Sequence, residues 1–318
     1  MITTPSVWLL LDDRTGNVNQ LLGVAEALKW PFTSVYLEYD SFVKLPNCLR
    51  KYCFLGVKNK KDVLKAPYPD VVLVAGRRAF PFALELKKRS CGRTKIVQIM
   101  DPGIYGRSKA DLVVIPKHDA LKKVPKNALL VDMAPHRVTQ EKLKIEQQKW
   151  KKNFEKFSSP KVALIVGGST KDKVFTQSMA KKMLTRTLNL QPKSLLVTTS
   201  RRTPQEVVQY LKKSIRIPNY FYQFGDDTEN PYFGFLSCAD MIVVTGDSIS
   251  MCSECVATGK KVFVFSSDEM VSQKHKRFLK NLFQQGYAFP LGFCEQKIQK
   301  KTPNTAEQVA DRIKKLFD

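Results

Sequence analysis

Residues 239–265 read ADMIVVTGDSISMCSECVATGKKVFVF, and the order of apolar and polar residues in them decides the fold. Met241 to Thr245 is an apolar, β-branched run, which predicts a strand. Gly246-Asp247-Ser248 breaks it. A helical pattern follows from about Ser250 to Thr258, Gly259 turns the chain, and Val262 to Phe265 predicts a second strand. This is a strand–loop–helix–strand unit with a hydroxyl-rich loop where the helix begins. A helix N-terminus carries unpaired N–H groups and a partial positive charge, so it suits an anion such as a diphosphate. Asp247, Ser248 and Ser250 are the donor-binding candidates of this loop. Glu254 is placed to accept hydrogen bonds from sugar hydroxyls.

Working outward, the same alternation fills the chain. Apolar runs occur at Val7–Leu11, Ser34–Leu37, Val71–Val74, Ile96–Ile99, Leu112–Ile115 and Leu129–Val131. A second set occurs at Val162–Val166, Leu195–Thr198, Tyr220–Tyr222, Met241–Val244, Val262–Phe265 and Tyr287–Phe289. Continuous rather than alternating runs mark strands buried on both faces, and strand–helix alternation marks parallel α/β sheets. The expected fold is therefore α/β, with two Rossmann-like domains, each a parallel sheet with flanking helices, facing across a cleft. Between the two sets lies EKLKIEQQKWKKNFEKFSSP, residues 141–160. It reads as an amphipathic helix closing the first domain, and Ser158-Ser159-Pro160 ends it. The expected domains are 1–158 and 159–318. A last amphipathic helix, Thr305 to Phe317, is capped by Thr305 in this reading and is free to pack back on the first domain.

The chain has 318 residues, a formal charge of +24 and 43% hydrophobic residues, so disorder is excluded. Its apolar runs are strand-sized, far below the ~20 residues that cross a bilayer. No secretory signal pattern opens the sequence. The expected location is cytoplasmic, peripheral at the inner face of a membrane. Lysine patches at 58–61, 149–152 and 297–301 fit a solvated surface or attraction to anionic lipid. No motif for specific nucleic-acid binding accompanies them. Oligomeric state is not legible. The seven cysteines are spread without a disulfide pattern, and Cys252 and Cys255, three apart on a helix, read as core.

Several loops follow predicted strands and could carry chemistry. Asp12-Asp13-Arg14-Thr15-Gly16-Asn17 opens a helix. One of its carboxylates could be a base, with Asp13 the catalytic candidate, or could merely cap the helix. Gly16 and Asn17 are cleft candidates in the same loop. Arg77 and Arg78, Gly168 and Ser169, and Arg201 and Arg202 also follow strands, and suit phosphate through backbone approach and guanidinium contacts. Asp101, His118 and His136 end further strands, as acid/base groups or as turn residues. Neither the dinucleotide fingerprint G-x-G-x-x-G nor the Walker A spacing is present. No D-x-D metal motif occurs, and no bound metal or cofactor is expected.

One series of motifs carries a resemblance. It comprises D-x-x-x-G-N-x-N-Q at 12–20, A-G-R-R at 75–78, Q-I-M-D-P at 98–102 and P-K-H-D at 116–119. It continues with G-G-S at 167–169, T-S-R-R-T-P at 199–204, N-P-Y at 230–232 and T-G-D-S-I-S-M-C-S-E at 245–254. In this order they resemble the mitochondrial-fission "elongated mitochondria" family and its bacterial branch. The resemblance implies glycosyltransferase-like proteins of GT-B architecture, with the donor nucleotide held mainly by the second domain. It implies donor contacts at Ser248, Ser250 and Glu254, and at Gly168 and Ser169 near the diphosphate. Gly246 stands where an acidic residue is expected, and Asn17 where relatives often carry His. The expected function is transfer of a sugar from a nucleotide-diphosphate donor to a lipid-linked or envelope glycan. The alternatives are a non-catalytic adaptor recruiting a dynamin-like or membrane partner, and a nucleotide-sugar epimerase.

Overall fold

The structure, a computed structural model, describes residues 4–45, 56–60, 64–293, 300 and 303–318. Cys48, Cys53, Cys294 and parts of two lysine patches lie outside the described residues. The chain forms two compact units, Met1–Arg137 with Asn304–Asp318, and Val138–Pro303.

The first unit holds strands β1 (Val7–Leu11), β2 (Phe32–Tyr36), β3 (Val71–Ala75), β4 (Lys95–Ile99), β5 (Leu112–Pro116) and β6 (Ala128–Val131). They form one sheet in the order β2-β1-β3-β4-β5-β6, and all pairs are parallel. Among the described residues before 137, its α-helices are α1 (Thr15–Leu28), α2 (Phe80–Arg89) and the single turn α3 (Ile104–Arg107). The apolar runs are continuous because both faces are covered. Val7, Leu9 and Leu11 join one buried cluster with α1, whereas Leu10 joins another with Phe80, Phe82 and Leu86 of α2.

The second unit holds α4 (Gln140–Phe154), β7 (Lys161–Val166), α5 (Gln177–Leu188), β8 (Ser194–Thr199), α6 (Gln205–Ser214), β9 (Asn219–Tyr222) and α7 (Tyr232–Cys238). It continues with β10 (Met241–Thr245), α8 (Ile249–Ala257), β11 (Lys261–Phe265), α9 (Gln273–Gln284) and β12 (Phe289–Pro290). Its parallel sheet runs β12-β11-β10-β7-β8-β9.

The charged middle helix does not close the first domain as the sequence suggests. Helix α4 belongs to the second unit and lies on α7. Its aromatic side decides this: Trp150 stacks on Phe154 at 5.4 Å, and Phe154 meets Phe235 at 5.4 Å and Tyr220 at 5.3 Å. Gly234 admits the Trp150 ring, since a Cβ there would lie 2.5 Å from it. The boundary thus falls at 137/138 rather than 158/159.

The chain then returns to the first unit through α10 (Thr305–Lys314), which packs on α1 and adds Val309, Ala310 and Ile313 to the buried cluster of Val24, Ala25 and Leu28. Asn304, not Thr305, caps this helix, its Oδ1 accepting from the N–H groups of Ala306 (3.1 Å) and Glu307 (3.4 Å). Among the described residues, no helix is long and apolar enough to cross a membrane.

Candidate functional site

In a doubly wound sheet, ligands bind outside the carboxyl ends of strands where the strand order reverses. In the second sheet that point lies between β7 and β10. The loops there are Gly167-Gly168-Ser169 after β7 and Gly246-Asp247-Ser248 after β10. The Ser200–Pro204 loop after β8 adjoins them.

Asp247 is the centre of this cluster, with its side chain wholly buried. Its Oδ2 accepts from Arg202 Nη2 at 2.7 Å and from the Gly168 N–H at 3.0 Å. Its Oδ1 is buried without a hydrogen-bond partner. The T-S-R-R-T-P loop is fixed around Arg202. Thr203 Oγ1 donates to the Gly167 carbonyl at 2.6 Å, and the Ser200 N–H donates to Thr203 Oγ1 at 2.9 Å. The Arg202 side chain remains 36% exposed. Arg201, beside it, is exposed.

The glycine pair has a different role from the expected phosphate cradle. A Cβ on Gly167 would lie 2.1 Å from Asp247 Oδ1, and one on Gly168 would lie 2.0 Å from the Arg202 carbonyl oxygen. The loop's N–H groups are also committed within the protein. Gly167 donates to Thr245 Oγ1 (2.7 Å), Gly168 to Asp247, and Ser169 to the Arg202 carbonyl (3.1 Å). These residues are small so that two loops can touch.

Helix α8 starts as the sequence suggests. Ser248 caps it, its Oγ accepting from the Met251 N–H at 3.4 Å, and Ser248 and Ser250 are half-buried. Gly246, where an acidic residue is expected, sits in a tight place, as a Cβ would meet the tip of the Leu279 side chain of α9 at 2.8 Å. Glu254 is 4% exposed, and its Oε2 accepts from the Tyr232 hydroxyl at 2.6 Å. Two separated motifs, N-P-Y and T-G-D-S-I-S-M-C-S-E, thus meet through one hydrogen bond. Burial and the Glu254 charge push the Tyr232 phenol well above its ordinary pKa. Cys252 and Cys255 are fully buried, which raises both thiols and leaves them inert core residues.

His275 is a neighbour that the sequence reading did not select. It lies in the first turn of α9, whose cap Ser272 sets its Oγ 2.7 Å from His275 Nδ1. Burial lowers its pKa, Lys274 and Arg202 add to that, and the Asp247 charge and backbone oppose it. It therefore faces the Asp247–Arg202 pair. The only trace in the sequence is a serine three residues before a histidine, a capping pattern with an unusual third residue.

The first sheet reverses between β1 and β3, and the loops there also meet. Asp12 Oδ2 accepts from Asn17 Nδ2 (2.9 Å) and Arg78 Nη2 (3.0 Å), while Arg78 Nη2 also pairs with Asp13 Oδ1. Asp12 Oδ1 receives the Arg14 N–H at 3.1 Å, so neither aspartate caps α1. The Tyr39 ring lies 5.0 Å from the Arg78 guanidinium. Burial pulls the Asp13 pKa upward, but the Arg78 hydrogen bond and charge outweigh it and hold the carboxyl below its ordinary value. A carboxylate so paired is a weak base. The Gly16 carbonyl accepts from Gln20, and Arg77 reaches the Leu45 carbonyl at 3.5 Å. Asp101 forms a bidentate pair with Arg107 (2.8 and 2.5 Å). His118 is buried after β5, beyond β4 in the sheet, whereas His136, buried after β6, passes its backbone close to Gly23 of α1. Among the described residues, no three His, Cys, Asp or Glu side chains gather as metal ligands.

A UDP-N-acetylglucosamine 2-epimerase of Methanocaldococcus jannaschii, solved with UDP-N-acetylglucosamine and UDP, superposes with a TM-score of 0.55. Identity is 12%, over 98% of this chain and 99% of that one. A glycosyltransferase of Rickettsia africae gives a TM-score of 0.51 at 13% identity, over 99% and 88%. At such identities the likeness establishes the fold, which is that of GT-B glycosyltransferases and epimerases. An uncharacterized protein of Rickettsia prowazekii is 29% identical over 97% of this chain and 98% of its own. The mitochondrial fission protein ELM1 of Arabidopsis thaliana is 26% identical over 69% of this chain, and the match spans 56% of the plant protein. The model of the mitochondrial fission ELM1 family matches residues 15–317, and the chain belongs to that family.

Proposed function

We propose that this chain binds a nucleotide-diphosphate sugar at the β7–β10 switch point of its second unit and transfers the sugar to a lipid-linked or envelope glycan. The observation that carries the reading is the Arg202 guanidinium, held by the buried Asp247 beside the Ser248-capped start of α8. Asp247 is a positioning residue here, since a second anion at the diphosphate would repel it. Arg202 and Arg201 neutralise the diphosphate, and Ser248 and Ser250 donate to its oxygens. Charge stabilisation of this kind lets a nucleoside diphosphate leave without a metal. Glu254, oriented by Tyr232, takes the ribose or sugar hydroxyls.

A second reading, a non-catalytic adaptor on the same fold, is favoured by the Asp13–Arg78 pair. The carboxylate proposed as base is tied to a cation, and fold does not fix activity. Calorimetric titration with UDP, GDP, ADP and CMP tests the site, with a Ser248→Ala/Arg202→Ala variant as control. Selective binding that the variant loses supports the donor pocket. A folded protein that binds none of the four overturns it and favours the adaptor. With a binding nucleotide known, release of a changed sugar without any acceptor would show an epimerase instead of a transferase.

A further inference from the structure

We infer that the outer edge of the first sheet, from Phe317 and Trp30 through Phe32 to Tyr36, is a surface that binds bilayers containing anionic lipid. Strand β2 is the last strand of its sheet. It pairs in parallel with β1, with Phe32 opposite Val7, Ser34 opposite Leu9 and Tyr36 opposite Leu11. Residues opposite one another in such a ladder project to the same face. Phe32 and Tyr36 therefore project to the face where Val7, Leu9 and Leu11 are covered by α1. Yet Phe32 is 41% exposed and Tyr36 65%. The helical cover ends over β1 and leaves the edge open. Trp30 lies two residues before Phe32, and its ring meets Phe317 edge-on at 5.5 Å, with Phe317 40% exposed. The four rings follow one margin of the unit.

Cations flank both ends of this line. Exposed Lys29 precedes Trp30, and Lys314 and Lys315 precede Phe317. At the other end Asn59 Nδ2 donates to the Tyr36 carbonyl at 2.7 Å, which sets exposed Lys58 and Lys60 beside Tyr36. The acidic neighbours are Glu26, which pairs with Arg137, Glu38, Asp40, Asp311 and Asp318, and the cations are Lys29, Lys58, Lys60, Arg312, Lys314 and Lys315. Aromatic rings settle in the headgroup layer, and ammonium groups beside them pair with lipid phosphates. A protein partner would need a groove matching a ring line along a twisted edge. A bilayer needs none, and the charge of +24 favours the phosphate plane over a neutral one.

Co-sedimentation of the full chain with phosphatidylcholine vesicles, with and without added phosphatidylglycerol, tests this. Two variants accompany it, Phe32→Ser/Tyr36→Ser/Phe317→Ser and Lys29→Glu/Lys315→Glu, with circular dichroism to check folding. Trp30 is left in place because its inner side packs on the core. The wild-type chain is expected to partition onto the anionic vesicles alone. Each variant is expected to lower the partition coefficient on the order of tenfold. The inference is overturned if the wild type stays in the supernatant, or if the aromatic variant partitions as the wild type does. Self-association that the aromatic variant abolishes, without vesicle binding, would overturn it too and assign the edge to a second copy of the chain.

Discussion

Replacing Gly168 by alanine tests how the second unit builds its site. The added methyl would lie 2.0 Å from the Arg202 carbonyl oxygen and 2.2 Å from its carbon. The obstacle is backbone, so no side chain can rotate away. The two loops must separate by about 1 Å, an overpacking that costs roughly 1–3 kcal/mol. The separation also stretches the Ser169 N–H bond to Arg202 and the Gly168 N–H bond to Asp247. Each such bond contributes about 1 kcal/mol. The sum is about 3–5 kcal/mol, which for a unit of this size lowers the melting temperature by roughly 6–20 °C. Because Arg202 moves with its loop, nucleotide affinity should fall as well. Thermal unfolding by circular dichroism and calorimetric titration measure the two effects. A variant that melts and binds like the wild type would refute the reasoning, for the loops would then not be in contact.

Other perturbations read other contacts. Tyr232→Phe removes the donor to the buried Glu254 carboxylate and should destabilise the protein by about 1.5–3 kcal/mol in urea unfolding. Glu254→Ala should accordingly lower both stability and nucleotide affinity, and a loss of affinity alone would mean that the Tyr232 bond is idle. Arg78→Ala should raise the Asp13 pKa, read by carboxyl NMR shifts against pH. In the wild type the lowered pKa contributes stability above about pH 4 that is lost as pH falls through the folded value, a window the variant should lose. The lowered pKa of His275 means that the unfolded chain takes up its proton first, so stability should fall as pH drops below about 6.5. His275→Gln should flatten that acid limb of the melting curve, and an unchanged limb would assign it to other groups.

The strands were legible because burial on both faces writes itself as unbroken Val, Ile and Leu. Val71–Ala75 and Met241–Thr245 show it plainly. Helix α8 was legible from Ser248 and the glycines around it. The ownership of α4 was not, because an amphipathic pattern reports that an apolar side exists and not which partner covers it. Trp150 needed Gly234, some eighty residues away, to declare the second unit. In the site, residue types were legible and their obligations were not. Gly167 and Gly168 read as a phosphate loop, yet their smallness answers to Asp247 and Arg202. Asp13 read as a candidate base or a helix cap, and the structure pairs it with Arg78 from the loop after β3. His275 escaped because its partners come from the loops after β8 and β10, distant in sequence.

Helix α10 gives the molecule an order of birth. Residues 304–318 complete the core over α1, yet they leave the ribosome after all of the second unit. The half synthesised first is thus the half finished last. Until Val309 and Ile313 arrive, the buried cluster that they share with α1 stays incomplete, while the second sheet already has its described strands. Domains usually mature in the order in which they are translated. Here the return of one short helix inverts that order, and a stall or cleavage near residue 303 would leave a finished second unit tethered to an unfinished first.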